Sequence, residues 1–131
     1  MNIWKHKDSD LGLLSVRLGV AMVFIYHGWL KYNNIVGTAG FFAKLGLASY
    51  WVYLVMALEL LGGLALLLGL KTRIIGVLLA VDMFFAIYFV TSGSPTFGGS
   101  EFELLLLLTS LGLALAGAGK YSLDTSWLKE K

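Results

Sequence analysis

The chain has no cysteine, a single proline, and only ten Lys or Arg and eight Asp or Glu among its 131 residues. Without cysteine there is no disulfide framework, no thiol relay, no cysteine-held iron–sulfur cluster and no thiolate zinc site. The net charge is +2 and the basic residues are scattered, so the clustered Lys/Arg stripe of a nucleic-acid footprint is missing. That points away from nucleic acid as a partner. What fills the chain is apolar: 58% hydrophobic residues, 14% charged, and a mean hydropathy of +0.80, where ordinary soluble domains carry about a quarter charged. A chain of 131 residues holds one domain, and this one reads as embedded in a lipid bilayer.

Four stretches, 11–30, 50–70, 74–91 and 102–118, approach or reach the roughly 20 residues that cross a hydrocarbon core. They predict an all-α fold, an integral membrane antiparallel four-helix bundle, as one domain over residues 1–131 with a tail at 119–131. Only Lys71, Thr72 and Arg73 separate the second and third runs, so these two form a hairpin with a tight polar turn. The first connection, 31–49, places Phe41, Phe42, Leu45 and Leu47 among glycines and Lys44. It reads either as a short interfacial helix or flap over the bundle mouth or as a partly ordered loop. The third connection, TSGSPTFGGSE, holds the single proline and three of the sixteen glycines, as a turn segment does. Lys5 and Lys7 ahead of the first run imitate a signal peptide, but the apolar core is too long and no cleavage site follows closely. The run is expected to be retained.

Orientation follows the Lys and Arg count in the connections. Lys5, Lys7, Lys71, Arg73, Lys120, Lys129 and Lys131 lie on one side, and only Lys31 and Lys44 on the other. Both termini are therefore expected to be cytoplasmic, in the plasma (inner) membrane of a prokaryote. Trp29, Tyr32, Tyr50, Trp51 and Tyr53 at one rim and Trp4, Tyr121 and Trp127 at the other suit the headgroup level.

Four ionisable groups fall inside the membrane: Arg17, His27, Glu59 and Asp82. Each costs about 2.5 to 3.5 kcal/mol at a lipid-facing central position, so they should face the bundle interior and find partners. With about 100° per residue and Arg17 at zero, Phe24 falls near about −20°, Lys31 near about −40° and His27 near about −80°. One face of the first helix thus carries Arg17, His27 and Lys31 inward. Arg17 and Asp82 read as a structural ion pair fixing register; Glu59 could instead reach Arg17 or His27. Glu101 and Glu103 open the fourth helix, where the helix dipole favours acids, and Glu103 shares a face with Ser110. Lys31 suits headgroup snorkelling as well as ligand binding. Gly62, Gly63, the Gly76–Ala80 pair and the Gly112–Ala116 pair read as small surfaces that let helix backbones approach.

The chemistry is bounded by what is scarce. His27 is the single histidine at membrane depth, so intrinsic haem is disfavoured, and no spacing matches a helical metal motif; neither a metal nor an intrinsic cofactor is expected. A quinone or quinol site asks for less: an apolar slot open to the bilayer, donors to the ring carbonyls and a proton-exchanging carboxylate. His27, Lys31 and Glu59 are the candidate catalytic residues, and Trp29, Phe85, Phe89 and Glu103 the candidate ligand-binding ones. The same residue types suit many transporters.

His27-Gly28-Trp29-Leu30-Lys31 resembles the HGxxK that ends the first helix of DoxX family membrane proteins. Leu58-Glu59-Leu60-Leu61-Gly62-Gly63 resembles the E-x-x-G-G of their second. Gly69-Leu70-Lys71-Thr72-Arg73, Gly98-Gly99-Ser100-Glu101-Phe102 and Gly117–Asp124 (GAGKYSLD) are similar to the family's G-L-x-T-R, G-G-x-E-F and GxGxxSLD. Ala118 departs from the usual proline. The resemblance implies a four-helix membrane protein of the kind that serves as subunit or partner of quinone-linked oxidoreductases. Two readings remain: a quinone-binding subunit with a partner carrying the electron donor, or a non-enzymatic scaffold or small-molecule carrier. Either works as a homo- or hetero-oligomer.

Overall fold

A computed structural model describes residues 3–91 and 99–129, and every regular element in it is helical. In chain order these are α1 (Ile3–Asn33), α2 (Ile35–Lys44), α3 (Tyr50–Leu68), α4 (Thr72–Val90), α5 (Glu101–Ala116) and α6 (Leu123–Ser126). The turn expected at TSGSPTFGGSE falls mostly on residues outside those described.

Among the described residues, three helices are long and apolar enough to cross a membrane: α1 over Asp8–Asn33, α3 and α4. The fourth expected span is shorter than its apolar run. α5 has 16 residues, about 24 Å at 1.5 Å per residue, because Gly117 at φ 86° ends the helix before Ala118. α1 errs the other way, starting eight residues before Leu11: apolarity marks a span, but Lys5 to Asp10 contain no Gly or Pro to stop a helix. The first connection resolves into a helix. Asn34 accepts a hydrogen bond from the Gly37 N–H at 3.2 Å, capping α2, and no residue of α2 is buried.

Packing is uneven. α1 lies antiparallel along α3, and α4 antiparallel along α5, each pair held by a glycine where a side chain would collide. A Cβ on Gly63 would sit 2.7 Å from Ile25 Cγ1 and 3.1 Å from the Ala21 carbonyl, and one on Gly76 would sit 2.7 Å from the Ser110 carbonyl. Gly28 makes the matching approach to Leu60. Gly112 differs from its expected role: nothing lies within 4 Å of a Cβ there, so it does not mediate packing within this chain. The pairs meet through Val20, Phe24, Leu66, Leu79, Met83, Leu106 and Leu113.

One end of the molecule is tied by its tail. Gly69, at φ 69°, ends α3 in the left-handed conformation that glycine adopts without strain, and the chain turns into α4. The Asp124 carboxylate accepts from the Lys71 N–H (2.5 Å) and the Thr72 N–H (2.9 Å), and the Asp124 N–H donates to the Gly69 carbonyl at 2.9 Å. Arg17, buried inside α1, donates to the carbonyls of Ala118 (2.5 Å) and Tyr121 (2.6 Å). The Lys120 N–H donates to Asp10 at 3.0 Å. The start of α1, the α3–α4 turn and the segment after α5 therefore share one end, the tail end; α2 lies at the other.

Candidate functional site

Three registers place the site. Gly28 against Leu60 and Gly63 against Ile25 set α1 and α3 so that Lys31 comes level with Glu59. Gly62 meets Leu79 and Ile75, which sets α3 and α4 so that Asp82 comes level with Glu59 from the other side. Lys31 Nζ then lies 2.7 Å from Glu59 Oε2, with the glutamate side chain 3% and the lysine 20% exposed. Asp82 shares a side-chain hydrogen bond with Glu59 and lies within electrostatic range of Lys31, while its Oδ2 is buried without a partner.

These groups sit in a cavity of about 540 Å³ between the two helix pairs. His27 and Glu103 also line it; the His27 ring packs on Phe102 with centroids 5.5 Å apart. Aromatic walls come from Phe24, Trp51, Phe85 and Phe89, and α2 contributes Phe41 and Phe42. An ammonium, three carboxyls and an imidazole thus share a mostly apolar chamber of the size that small ligands occupy, about 300–1,000 Å³. Among the described residues, no group of three or more His, Asp or Glu is arranged to hold a metal ion.

Of the residues singled out in the sequence, His27, Lys31, Glu59, Phe85, Phe89 and Glu103 are brought to this chamber. Trp29 is not. It stands two residues from His27, about 200° around the helix, and stacks on Tyr32 outside with centroids 5.5 Å apart. The expected Arg17–Asp82 pair does not form either. Arg17 is taken by the tail carbonyls, while Asp82 stands ten residues above the start of α4, about 15 Å along the axis, beside Glu59. Asp82 belongs to the site instead. The signal was present: Glu59 and Asp82 flank Leu70 at almost equal distances in sequence, so a tight hairpin must level them. Phe24 was marked by its helical angle on the inward face of α1, but Trp51 and Phe102 left no comparable trace, since apolar residues in membrane helices look alike whether they face lipid or ligand.

The family model described as DoxX matches residues 12–92. The chain belongs to the DoxX family. A Bacillus subtilis (strain 168) protein named "Putative oxidoreductase CatD" is 40% identical over 126 residues, 96% of this chain and 94% of that one. An Escherichia coli (strain K12) relative named "Inner membrane protein YqjF" is 31% identical over 122 residues, 90% and 93% of the two chains. A Mycobacterium tuberculosis relative named "Uncharacterized membrane protein Rv3486" is 29% identical over 136 residues, 91% of this chain and 83% of that one. No solved structure matches. In this DoxX member the HGxxK and E-x-x-G-G segments supply Lys31 and Glu59, the two halves of the ion pair.

Proposed function

We propose that this DoxX protein binds a quinone or quinol in the cavity between its helix pairs and serves as membrane subunit or partner of an oxidoreductase. The observation that carries the reading is the Lys31–Glu59–Asp82 group at the base of an apolar cavity of about 540 Å³. The Lys31 ammonium keeps N–H groups beyond the one given to Glu59, so it and His27 can donate to a ring carbonyl. Glu59 and Asp82 set two carboxyls beside one ammonium; one acid in excess of charge balance suits a site that takes up or releases protons as the ring changes redox state. Phe85, Phe89 and Trp51 would hold the ring by its faces. With no cysteine and one histidine at depth, the electron donor belongs to a partner protein. The relative named as an oxidoreductase agrees with this reading.

Three finer features complete the proposal. Residues 1–131 act as one domain, and α5, packed along α4, is its fourth span, with the tail-end turns adding length. Both termini are cytoplasmic, since the N-terminal segment, the second turn and the C-terminal segment carry seven of the ten Lys and Arg in the sequence, as the positive-inside rule requires. The working form is an oligomer, with itself or with the oxidoreductase. The test of the site is mass spectrometry of the lipids that co-purify with wild type, His27→Ala and Glu59→Gln. Stoichiometric quinone in wild type, lost in both folded variants, is expected; no quinone in wild type would favour a carrier or scaffold.

A further inference from the structure

The two seams between the helix pairs differ. On the α1–α5 side Phe24 is 1% exposed and Leu106 is buried, and His27 packs on Phe102, the single apolar residue of that side that lines the cavity and also stands at the surface (43% exposed). On the α3–α4 side Leu54 (55% exposed) and Phe85 (51%) line the cavity while standing at the protein surface, and Val81 and Leu78 do the same. The reason lies in the hairpin. α3 and α4 are pinned by Asp124 at the Gly69–Lys71 turn and touch where Gly62 meets Leu79 and Ile75. Beyond that glycine Asp82 still reaches Glu59, and further along Leu58, Val55 and Leu54 of α3 and Phe85 and Phe89 of α4 line the cavity. The hairpin is a V with its apex at the tail end.

Among the described residues the other directions are more covered. Toward the tail end, Leu66, Leu79 and Leu113 are fully buried between cavity and turn. Toward the α2 end, among the described residues, Phe41, Phe42, Leu45 and Leu47 give the cavity an apolar roof. The open side of the V lies along α3 and α4, two helices apolar enough to sit in hydrocarbon, with the charged group at its base. A ligand that fits has a polar ring for the base and an apolar chain for the opening.

We infer that the quinone of this site is a long-tailed, lipid-soluble one that enters sideways and leaves its isoprenoid tail lying in the seam between α3 and α4. This rests on the quinone reading above and adds to it the ligand class and the path. Two compounds test it, a quinone with an isoprenoid tail and the same ring without one. Their dissociation constants are measured in nanodiscs by quenching of tryptophan fluorescence, Trp51 being part of the cavity wall. Val81→Phe and Leu54→Phe each narrow the opening; Leu105→Phe, on the exposed face of α5 and away from the cavity, is the control. Each ligand is compared only with itself across variants, so partition into lipid cancels.

The expected result is a preference for the tailed quinone that falls at least tenfold in Val81→Phe and in Leu54→Phe and is unchanged in Leu105→Phe. An unaltered preference, or an equal loss for both compounds, would overturn the seam while leaving quinone binding standing. If wild type binds neither compound, the quinone reading fails and this inference fails with it.

Discussion

At the residue scale, the Lys31–Glu59 pair separates structural from functional demand. A buried ion pair rarely adds net stability, but removing one partner strands the other's charge. Glu59→Leu should therefore destabilise the protein by about 3 kcal/mol, and adding Lys31→Met should recover all but about 1 kcal/mol of it. Thermal unfolding in detergent reads both steps, and quinone content should stay absent in the double variant although its fold is restored. Asp82 makes the opposite prediction. Asp82 shares a side-chain hydrogen bond with Glu59 while its Oδ2 has no partner. Asp82→Asn keeps the shape and can still donate to Glu59, so stability should fall by much less than in Glu59→Leu while quinone retention drops. A fall in melting temperature comparable to that of Glu59→Leu would instead give Asp82 a structural role.

At the scale of helices, glycines that look alike in sequence separate by what they touch. Gly76→Ala forces a methyl against the backbone of α5, 2.7 Å from one carbonyl and 2.9 Å from the Ala114 nitrogen, and neither atom can turn aside. A loss of about 1–3 kcal/mol is expected, as for overpacking of a tight contact. Gly112→Ala meets nothing within 4 Å and should be neutral or stabilise by up to about 1 kcal/mol through helix propensity. Unfolding midpoints of the two single variants check the contrast; a loss at Gly112 would mean that another chain packs there. The helices themselves were largely legible, because long apolar runs in a 131-residue chain leave few other structures. Their ends were not, since α1 extends through charged residues and α5 stops at Gly117.

For the whole molecule, the tail closes one end. The Asp124 carboxylate accepts two backbone N–H groups at the start of α4, and hydrogen bonds to a charged group contribute about 1.5–3 kcal/mol each. Asp124→Ala should lower the unfolding midpoint and loosen the α3–α4 turn, measured as faster amide exchange at Lys71 and Thr72. If both amides stay protected, another acceptor holds the turn. The tie also keeps the α3–α4 V open at the α2 end rather than the tail end.

Composition and periodicity alone determined that this is an α-helical membrane chain, that Arg17, His27 and Lys31 share an inward face, and that a carboxylate at Glu59 needs a cation. Helical angles and bilayer costs follow from local sequence. Which cation it finds was decided only by the fold: Arg17 goes to the tail carbonyls, and Lys31 takes Glu59. Trp29 turns outward, Trp51 lines the cavity, and Asp82 changes from register pin to site residue. These outcomes depend on the axial offset between helices far apart in sequence. Three close glycine contacts at Gly28, Gly63 and Gly76 set much of that offset, and no single helix carries it.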